Sequence, residues 1–150
     1  MQLKIFPPVY VFIVGLLMTL AHRYYPVMQI ISEPWIYVSS VFFIIAVLIN
    51  IYSMKLFANE STTFSPTKLK DTSALVINGS YKFTRNPMYL GLLSLLVGYA
   101  LWLGSLTPFI VLPLFYWLIT EMQIKPEEKV LEEKFGDGYL DYKNNVRRWL

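Results

Sequence analysis

The chain alternates between long runs without charge and short segments in which the charges are concentrated. Asn86 to Thr120 is a run of thirty-five residues with no charged side chain. A single membrane crossing takes ~20 apolar residues, so this run predicts two short helices joined by a turn. Small and turn-forming residues lie near its midpoint: Gly104, Ser105, Thr107 and Pro108. The polar segments on either side of the run are therefore expected at the same membrane surface.

Two further charge-free runs, Ile5 to Leu20 and Trp35 to Met54, precede this hairpin and contain sixteen and twenty residues. Each is long enough for one crossing, and the first lacks the small-residue cleavage site of a removable signal peptide. The pattern predicts an all-α fold, an integral membrane bundle of four transmembrane helices in a single domain over residues 1–150. The predicted segments are spans at about 5–22, 35–55, 87–103 and 107–122, a cytoplasmic linker at 56–86 and a cytoplasmic helical tail at 126–150.

Lysine and arginine fall almost entirely on one side of the predicted bundle. Four spans put the N-terminus, the linker and the tail on one face, which holds twelve of the thirteen basic side chains, and Arg23 on the other. Because short basic segments are retained in the cytoplasm, the chain is predicted to be a multi-pass protein with both termini cytoplasmic. The sequence pI of about 9.0 is then explained by orientation and anionic lipid, and no nucleic-acid partner is predicted.

Composition agrees with a membrane location and narrows the chemistry. The chain is 55% hydrophobic and 15% charged, which is too apolar for an ordinary soluble domain. The absence of cysteine excludes disulfides, thiolate nucleophiles and thiolate metal sites. His22 is the single histidine, so no metal site is predicted.

The sequence pattern predicts ordered elements in both the linker and the tail. The apolar patch Ala74 to Ile77 predicts that the linker packs against the bundle. Pro126 suits the first turn of a helix that ends before Gly136, so a helix is predicted from Pro126 to Phe135. After Gly138, apolar and aromatic residues recur at spacings of three and four, which predicts an interfacial amphipathic helix: Tyr139, Tyr142, Val146 and Trp149.

Two polar motifs flank the hairpin, and each has two interpretations. In the first, NGSYKFTRNPMYLG at 78–91, an arginine and two tyrosines lie beside the start of a span, where such side chains also anchor helix ends. In the second, Glu127 and Glu128 can cap a helix through its dipole, or they can bind a cationic, hydroxyl-rich ligand. Neither motif alone decides between a structural and a functional role.

Together, GSYKFTRNPMYLG, the apolar hairpin and PEEKVLEEKFGDGYLDY resemble the isoprenylcysteine carboxyl methyltransferase and phospholipid methyltransferase superfamily. That family's pattern is G-x-Y-x-x-x-R-H-P-x-Y-x-G, followed by E-E-x-x-L-x-x-x-F-G-x-x-Y-x-x-Y. The resemblance covers Gly79 to Arg148. It implies an integral membrane enzyme that transfers a methyl group from S-adenosylmethionine, leaving S-adenosylhomocysteine, to a membrane lipid or another lipophilic acceptor at the cytoplasmic interface.

The resemblance also implies which residues hold the cofactor. The first motif would form one wall of its pocket with Tyr81, Arg85, Asn86, Pro87, Tyr89 and Gly91. The second motif would form the opposite wall and close the site with Glu127, Glu128, Leu131, Tyr139 and Tyr142. Asn86 stands where the family usually has histidine and Gln123 where many members have arginine, so the identity of the acceptor stays open.

The catalytic demands of such a transfer are modest, because a sulfonium already activates the methyl group and the protein mainly positions the reactants. An amine acceptor would also need a base, and Glu121, near the end of the fourth span, is the candidate for that role. A solvated carboxylate at a span end is its structural alternative. Arg85 is the second candidate catalytic residue, because it could steer an anionic acceptor headgroup.

Two other functions are consistent with the sequence. One is a membrane reductase related to sterol reductases, which would bind NADPH. The other is a non-enzymatic four-helix scaffold or a small transporter, although no intramembrane charge of the kind that ion-coupled transport uses lies inside the predicted spans. Binding of NADPH rather than S-adenosylmethionine would identify the reductase, and tolerance of glutamine at Glu127 and Glu128 would identify the scaffold.

Overall fold

A computed structural model describes residues 6–29, 33–60 and 72–150, with the backbone alone for 33–35. Linker residues 61–71 and Lys4 lie outside the described residues. The described residues form six α-helices, a 3-10 turn and a π-helical turn: α1 (Pro7–Tyr24), α2 (Glu33–Asn59), the 3-10 turn (Gly79–Lys82), α3 (Pro87–Leu103), α4 (Thr107–Ile119), the π-helical turn (Thr120–Ile124), α5 (Lys125–Phe135) and α6 (Asp137–Asn145). Apart from one isolated bridge between Gln29 and Ser105, these residues contain no β-structure, so the predicted all-helical fold class is confirmed.

Proline and glycine set the helix boundaries around the hairpin. Pro7, Pro87, Pro108 and Pro126 lie in the first turns of α1, α3, α4 and α5. For Pro7, Pro87 and Pro108 the missing N–H of proline costs no hydrogen bond, because N–H groups in the first turn have no partner within the helix. Pro126 differs, because α5 follows the π-helical turn without a break. Gly104 ends α3 with a φ of 75°, a left-handed conformation that glycine adopts without steric cost. The hairpin therefore turns where the sequence predicts it.

Helices α2 and α3 pack closely along a stripe of small residues on α3. A Cβ atom at Gly91 would lie 2.1 Å from Nδ2 of Asn50, and one at Gly98 would lie 3.1 Å from Cβ of Phe42. Between these glycines, the hydroxyl of Ser94 donates to the carbonyl of Phe42 at 3.0 Å. Small residues at this spacing let two helices approach, as is common in membrane bundles.

The main core lies between α1, α3 and α4, while much of the outer surface is apolar. Buried core side chains come from all three helices: Tyr10, Val14, Met18, Leu96, Phe115 and Ile119. The outward face of α2 exposes large aliphatic side chains: Ile36, Val41, Ile44, Val47, Leu48 and Ile51. Such a continuous apolar helix surface is typical of contact with lipid.

Within the described residues, two helices are long and apolar enough to cross a membrane. These are Ile36–Asn59, with 24 residues, and Thr107–Phe135, with 29 residues. Pro87–Leu103 is apolar but shorter. The helices agree with a membrane protein, while the count of four spans and the orientation remain predictions.

The predicted helix at Pro126 to Phe135 is found as α5, but no break separates it from α4. Instead α4, the π-helical turn and α5 form one continuous helix. Pro126 has no N–H for the carbonyl four residues earlier, Met122, and the π-helical turn from Thr120 to Ile124 falls at that point. The widened turn therefore lets the helix pass the proline.

The prediction of an amphipathic helix from Tyr139 to Trp149 is wrong in its C-terminal part. Helix α6 ends at Asn145, and Val146 is extended, with φ −123° and ψ 132°. The spacing of the apolar residues predicted a longer helix, because a local sequence pattern contains no information about hydrogen bonds to distant parts of the chain. Residues 146–150, here called the C-terminal strap, run instead along the segment just before α3.

Candidate active site

A cavity of about 340 Å³ lies where the start of α1, α2, the first polar motif and helices α5 and α6 converge. Most residues predicted for the cofactor pocket line it: Tyr81, Arg85, Asn86, Tyr89, Glu127, Glu128, Leu131, Tyr139 and Tyr142. The hairpin thus returns the chain to its starting level, and the two polar motifs face one another across a common space.

Three predicted site residues do not line the cavity. Pro87 is buried in the first turn of α3, and Gly91 is buried against α2. Glu121 forms an ion pair with Lys125 at 2.5 Å, and its side chain is 36% exposed. The structure therefore gives these residues structural surroundings, and it provides no support for Glu121 as a base toward an acceptor in the cavity.

Glu128 is the more buried carboxylate of the pair, with 6% of its surface exposed. Arg148 donates to it through Nε at 2.9 Å and Nη2 at 2.7 Å, one bond to each carboxylate oxygen. Nη2 of Arg85 lies 3.2 Å from its Oε1. The hydrogen bond to Glu128 raises the pKa of Arg148, so this guanidinium stays charged. A buried carboxylate with these two partners is well compensated.

Glu127 has different surroundings, although it is the next residue. It lines the cavity, and the hydroxyl of Tyr89 donates to its Oε1 at 2.5 Å. Across the described ranges, no lysine or arginine forms an ion pair with it. Its carboxylate therefore keeps acceptor capacity for the donors of a ligand.

Arg85 is buried with its guanidinium only partly satisfied. Its side chain is 8% exposed and lines the cavity. Its Nε and Nη1 atoms are buried and have no hydrogen-bond partner in the part of the chain that the structure describes. Because unpaired buried donors are costly, this arrangement suits a ligand that brings a hydrogen-bond acceptor such as a carboxylate.

Tyrosines enclose the side of the cavity next to α6. The hydroxyl of Tyr142 donates to the carbonyl of Tyr81 at 2.7 Å, and the ring of Phe57 meets that of Tyr81 edge to face at 5.5 Å. Burial raises the pKa of Tyr81 and Tyr142 above the ordinary value, and it raises the pKa of Tyr139 to about 12. All three phenols are therefore neutral at physiological pH, and their rings give this side of the cavity an aromatic wall.

One wall of the cavity consists of residues that were not predicted from the sequence as site residues. Three stretches contribute to it: residues 6–8, the α2 residues Asn50, Met54 and Phe57, and the segment 72–76. The patch Ala74 to Ile77 was the available signal, and its predicted packing is confirmed by Val76, which is 6% exposed and packs with Tyr81, Tyr139 and Tyr142. Thr72 also lines the cavity, with a buried hydroxyl that has no hydrogen-bond partner among the described residues.

Comparisons with known proteins add independent information. The profile of the family described as phospholipid methyltransferase matches residues 34–138. Over 63 residues the chain is 48% identical to an uncharacterized protein of Haemophilus influenzae, a match that covers 42% of this chain and 100% of that protein. No solved structure gives a significant match.

Two fungal relatives carry functional names. The chain is 34% identical over 80 residues to Protein-S-isoprenylcysteine O-methyltransferase of Saccharomyces cerevisiae, which covers 53% of this chain and 34% of that protein. It is 32% identical over 72 residues to the protein of the same name in Schizosaccharomyces pombe, covering 48% of this chain and 30% of that protein. The chain therefore spans about a third of the length of these two methyltransferases.

The family match and the geometry of the site agree. Residues 34–138 include both the first polar motif and the paired glutamates, which the structure brings together in one cavity. The family profile and the two fungal methyltransferases confirm the resemblance inferred from the motifs. With apolar helices long enough to cross a membrane, the chain belongs to the phospholipid methyltransferase family of enzymes.

Proposed function

We propose that the chain transfers a methyl group from S-adenosylmethionine to a lipophilic acceptor at the membrane interface. The observation on which this proposal rests is that Arg85 and Glu127 line one cavity with complementary binding capacity still unused. Arg85 keeps two unpaired guanidinium nitrogens, and Glu127 keeps a carboxylate without a cationic partner among the described residues. A zwitterionic amino-acid group with an attached nucleoside matches this combination.

The parts of S-adenosylmethionine fit different groups in the cavity. Arg85 would donate to the methionine carboxylate through one of its unpaired nitrogens, Nε or Nη1, because hydrogen bonds between a guanidinium and a carboxylate are charge-assisted and strong. Glu127 would accept from the ammonium group or from ribose hydroxyls. The aromatic rings of Tyr81 and Tyr139 offer flat surfaces for the base. A volume of about 340 Å³ lies within the range of small-molecule sites.

The remaining lining suits a lipophilic acceptor. Apolar side chains from three helices and the segment before α1 border the cavity: Phe6, Pro7, Pro8, Met54, Met88 and Leu92. These helices also expose apolar side chains on their outer faces, as a lipid-facing bundle does. An acceptor with a hydrocarbon tail would therefore gain apolar contacts next to the polar half of the site.

The residues of this site would contribute binding and orientation more than proton transfer. Bound S-adenosylmethionine supplies a methyl group already activated by its sulfonium. Arg85 and Glu127 would hold it in one orientation, and the buried walls would exclude water. The carboxylates among the described lining residues, Glu127 and Glu128, both accept hydrogen bonds within the protein. An acceptor that is nucleophilic without losing a proton, such as a carboxylate, therefore suits the site better than a protonated amine.

Ligand binding and methyl transfer test this proposal separately. Thermal shift of the detergent-solubilised chain should show stabilisation by S-adenosylhomocysteine and none by NADPH, because a ligand that binds the native state raises its melting temperature. Incubation with methyl-labelled S-adenosylmethionine and host membranes should yield labelled lipid by mass spectrometry. No binding of S-adenosylhomocysteine at millimolar concentration, or stabilisation by NADPH alone, would contradict the proposal.

A further inference from the structure

The C-terminal strap is tied by hydrogen bonds to the first polar motif. The backbone N–H of Arg85 donates to the carbonyl of Arg147 at 2.9 Å. The carbonyl of Arg148 accepts two further bonds, from the hydroxyl of Thr84 at 3.1 Å and from the side-chain amide of Asn86 at 2.9 Å. The strap therefore lies in a fixed position behind Arg85, and Asn86, at the family's usual histidine position, helps to hold it there.

The side chain of Arg148 reaches across to the second polar motif. Its bonds of 2.9 and 2.7 Å go to both oxygens of Glu128, which is a bidentate arrangement. Arg85 makes a single, longer contact of 3.2 Å with the same carboxylate. Arg148 itself does not line the cavity, whereas Arg85 and Glu128 do. The strap thus joins both polar motifs from outside the space in which a ligand would bind.

We infer that Arg148 is a positioning residue that satisfies Glu128 and thereby leaves the unpaired nitrogens of Arg85, Nε and Nη1, free to donate to the cofactor, one of them to its carboxylate. The inference rests on the proposed function, because it assigns that carboxylate to Arg85. Arg148 acts through its two neighbours and touches no reacting atom. It lies beyond residues 34–138, so the family match does not include it.

The physical reason lies in the competition of two guanidinium groups for one buried carboxylate. Glu128 is 6% exposed, so it needs charged partners that solvent cannot replace. Without Arg148, the remaining cation beside Glu128 is Arg85, which would turn more of its nitrogens toward it. Arg85 would then hold the carboxylate of the protein instead of the carboxylate of the ligand. Loss of Arg148 should therefore weaken recognition of one particular group of the cofactor.

The test compares S-adenosylhomocysteine with its decarboxylated analogue, which lacks only that group. Dissociation constants are measured by titration calorimetry on the detergent-solubilised full chain for wild type, Arg148→Ala and Arg148→Lys. We expect Arg148→Ala to bind S-adenosylhomocysteine about tenfold more weakly or worse, the scale of a lost hydrogen bond to a charged group, and to bind the analogue within about twofold of wild type. Arg148→Lys should fall between, because an ammonium cannot bond both oxygens in the same geometry.

Lys129→Ala is the matched control, because it removes an exposed cation next to Glu128 that does not line the cavity. Its affinity for both ligands should equal that of wild type. A purely structural role for the strap predicts that Arg148→Ala loses affinity for both ligands equally, together with a lower melting temperature, and this result would overturn the inference. An unchanged preference for the carboxylated ligand would overturn it as well.

Three further outcomes are decided by the same experiment. If Arg148→Ala does not fold, Arg148→Lys provides the comparison, since a reduced preference for the carboxylated ligand supports the inference and an unchanged preference refutes it. If wild type binds neither ligand, the proposed function itself fails, and the inference fails with it. If wild type binds both ligands equally, S-adenosylhomocysteine binding stands but the role of Arg85, and so of Arg148, is refuted.

Discussion

The adjacent carboxylates Glu127 and Glu128 show how strongly surroundings determine the role of a residue. Glu128 faces two guanidinium groups and is compensated within the protein. Glu127 accepts a bond from one phenol, that of Tyr89, and borders the cavity. In the sequence the two are equivalent members of one motif. In the fold, Glu128 pairs with two basic side chains, whereas Glu127 borders the cavity and accepts from Tyr89.

Replacement of Glu127 by glutamine should lower the affinity for S-adenosylhomocysteine with little effect on stability. The amide keeps an oxygen for the hydroxyl of Tyr89 but loses the charge that attracts an ammonium group or a hydroxyl, a change of ~1.5 to 3 kcal/mol. Titration calorimetry measures the affinity, and thermal unfolding in detergent measures the stability. Glu133→Gln, an exposed position on the same helix, is the control and should change neither. Wild-type affinity in Glu127→Gln would contradict this role.

The sequence located several residues that share one cavity, but it did not predict which side chains pair with one another. The motif positions Tyr81, Arg85 and Glu127 were predicted as pocket residues and line the cavity. The bonds from Arg148 to Glu128 were not predicted, because twenty residues of helix and strap separate the partners and no local pattern encodes their meeting. Glu121 was predicted as a candidate base, but in the structure it pairs with Lys125 and its side chain is partly exposed to solvent.

At the scale of elements, the contact between α2 and α3 depends on Gly91. A Cβ atom there would lie 2.1 Å from Nδ2 of Asn50 and 3.3 Å from the carbonyl oxygen of Ala46. Gly91→Ala should therefore destabilise the bundle by ~1 to 3 kcal/mol, the usual cost of overpacking. Equilibrium unfolding in mixed detergent measures this change. The double variant Gly91→Ala with Asn50→Ala removes the closest clash and should recover part of the loss.

A glycine without close neighbours is the control for this prediction. Gly138, in the first turn of α6, has no atom within 4 Å of an added Cβ. Gly138→Ala should leave stability unchanged or raise it by ~0.4 to 1 kcal/mol, because alanine restricts the unfolded chain. A loss at Gly138 as large as that at Gly91 would contradict the prediction, because it would show that the contact with α2 is not what makes Gly91→Ala destabilising.

Helix positions were predictable where composition changes sharply and less so where tertiary contacts decide. Pro87 and Gly104 mark the ends of α3 by their own backbone restrictions, so local reasoning located them. The passage of the helix through Pro126 was not predicted, because a π-helical turn has no simple sequence pattern. The early end of α6 at Asn145 follows from hydrogen bonds made by the strap to the first motif.

At the scale of the whole molecule, the hairpin of α3 and α4 explains why two distant motifs form one site. The apolar run at 86–120 was enough to predict that both motifs emerge together. The remaining wall, from residues 6–8, α2 and the segment 72–76, was not predictable from apolar composition. A helix such as α2 is apolar nearly all round, so its sequence does not distinguish the face toward the cavity from the face toward lipid.

The predicted four-span topology is simple to test, because this chain contains no cysteine. Single cysteines at exposed positions on the two predicted sides, Tyr25→Cys between α1 and α2 and Asn144→Cys near the end of α6, provide the labelling sites. A membrane-impermeant maleimide should label Tyr25→Cys in intact cells and Asn144→Cys in inverted vesicles. The reason is that the predicted face containing the tail holds twelve basic residues, which favour retention of that face in the cytoplasm. Wild type should remain unlabelled in both preparations. The four-span topology puts three crossings between Tyr25 and Asn144, so the two residues should lie on opposite sides of the membrane. Labelling of both variants from the same side would contradict it.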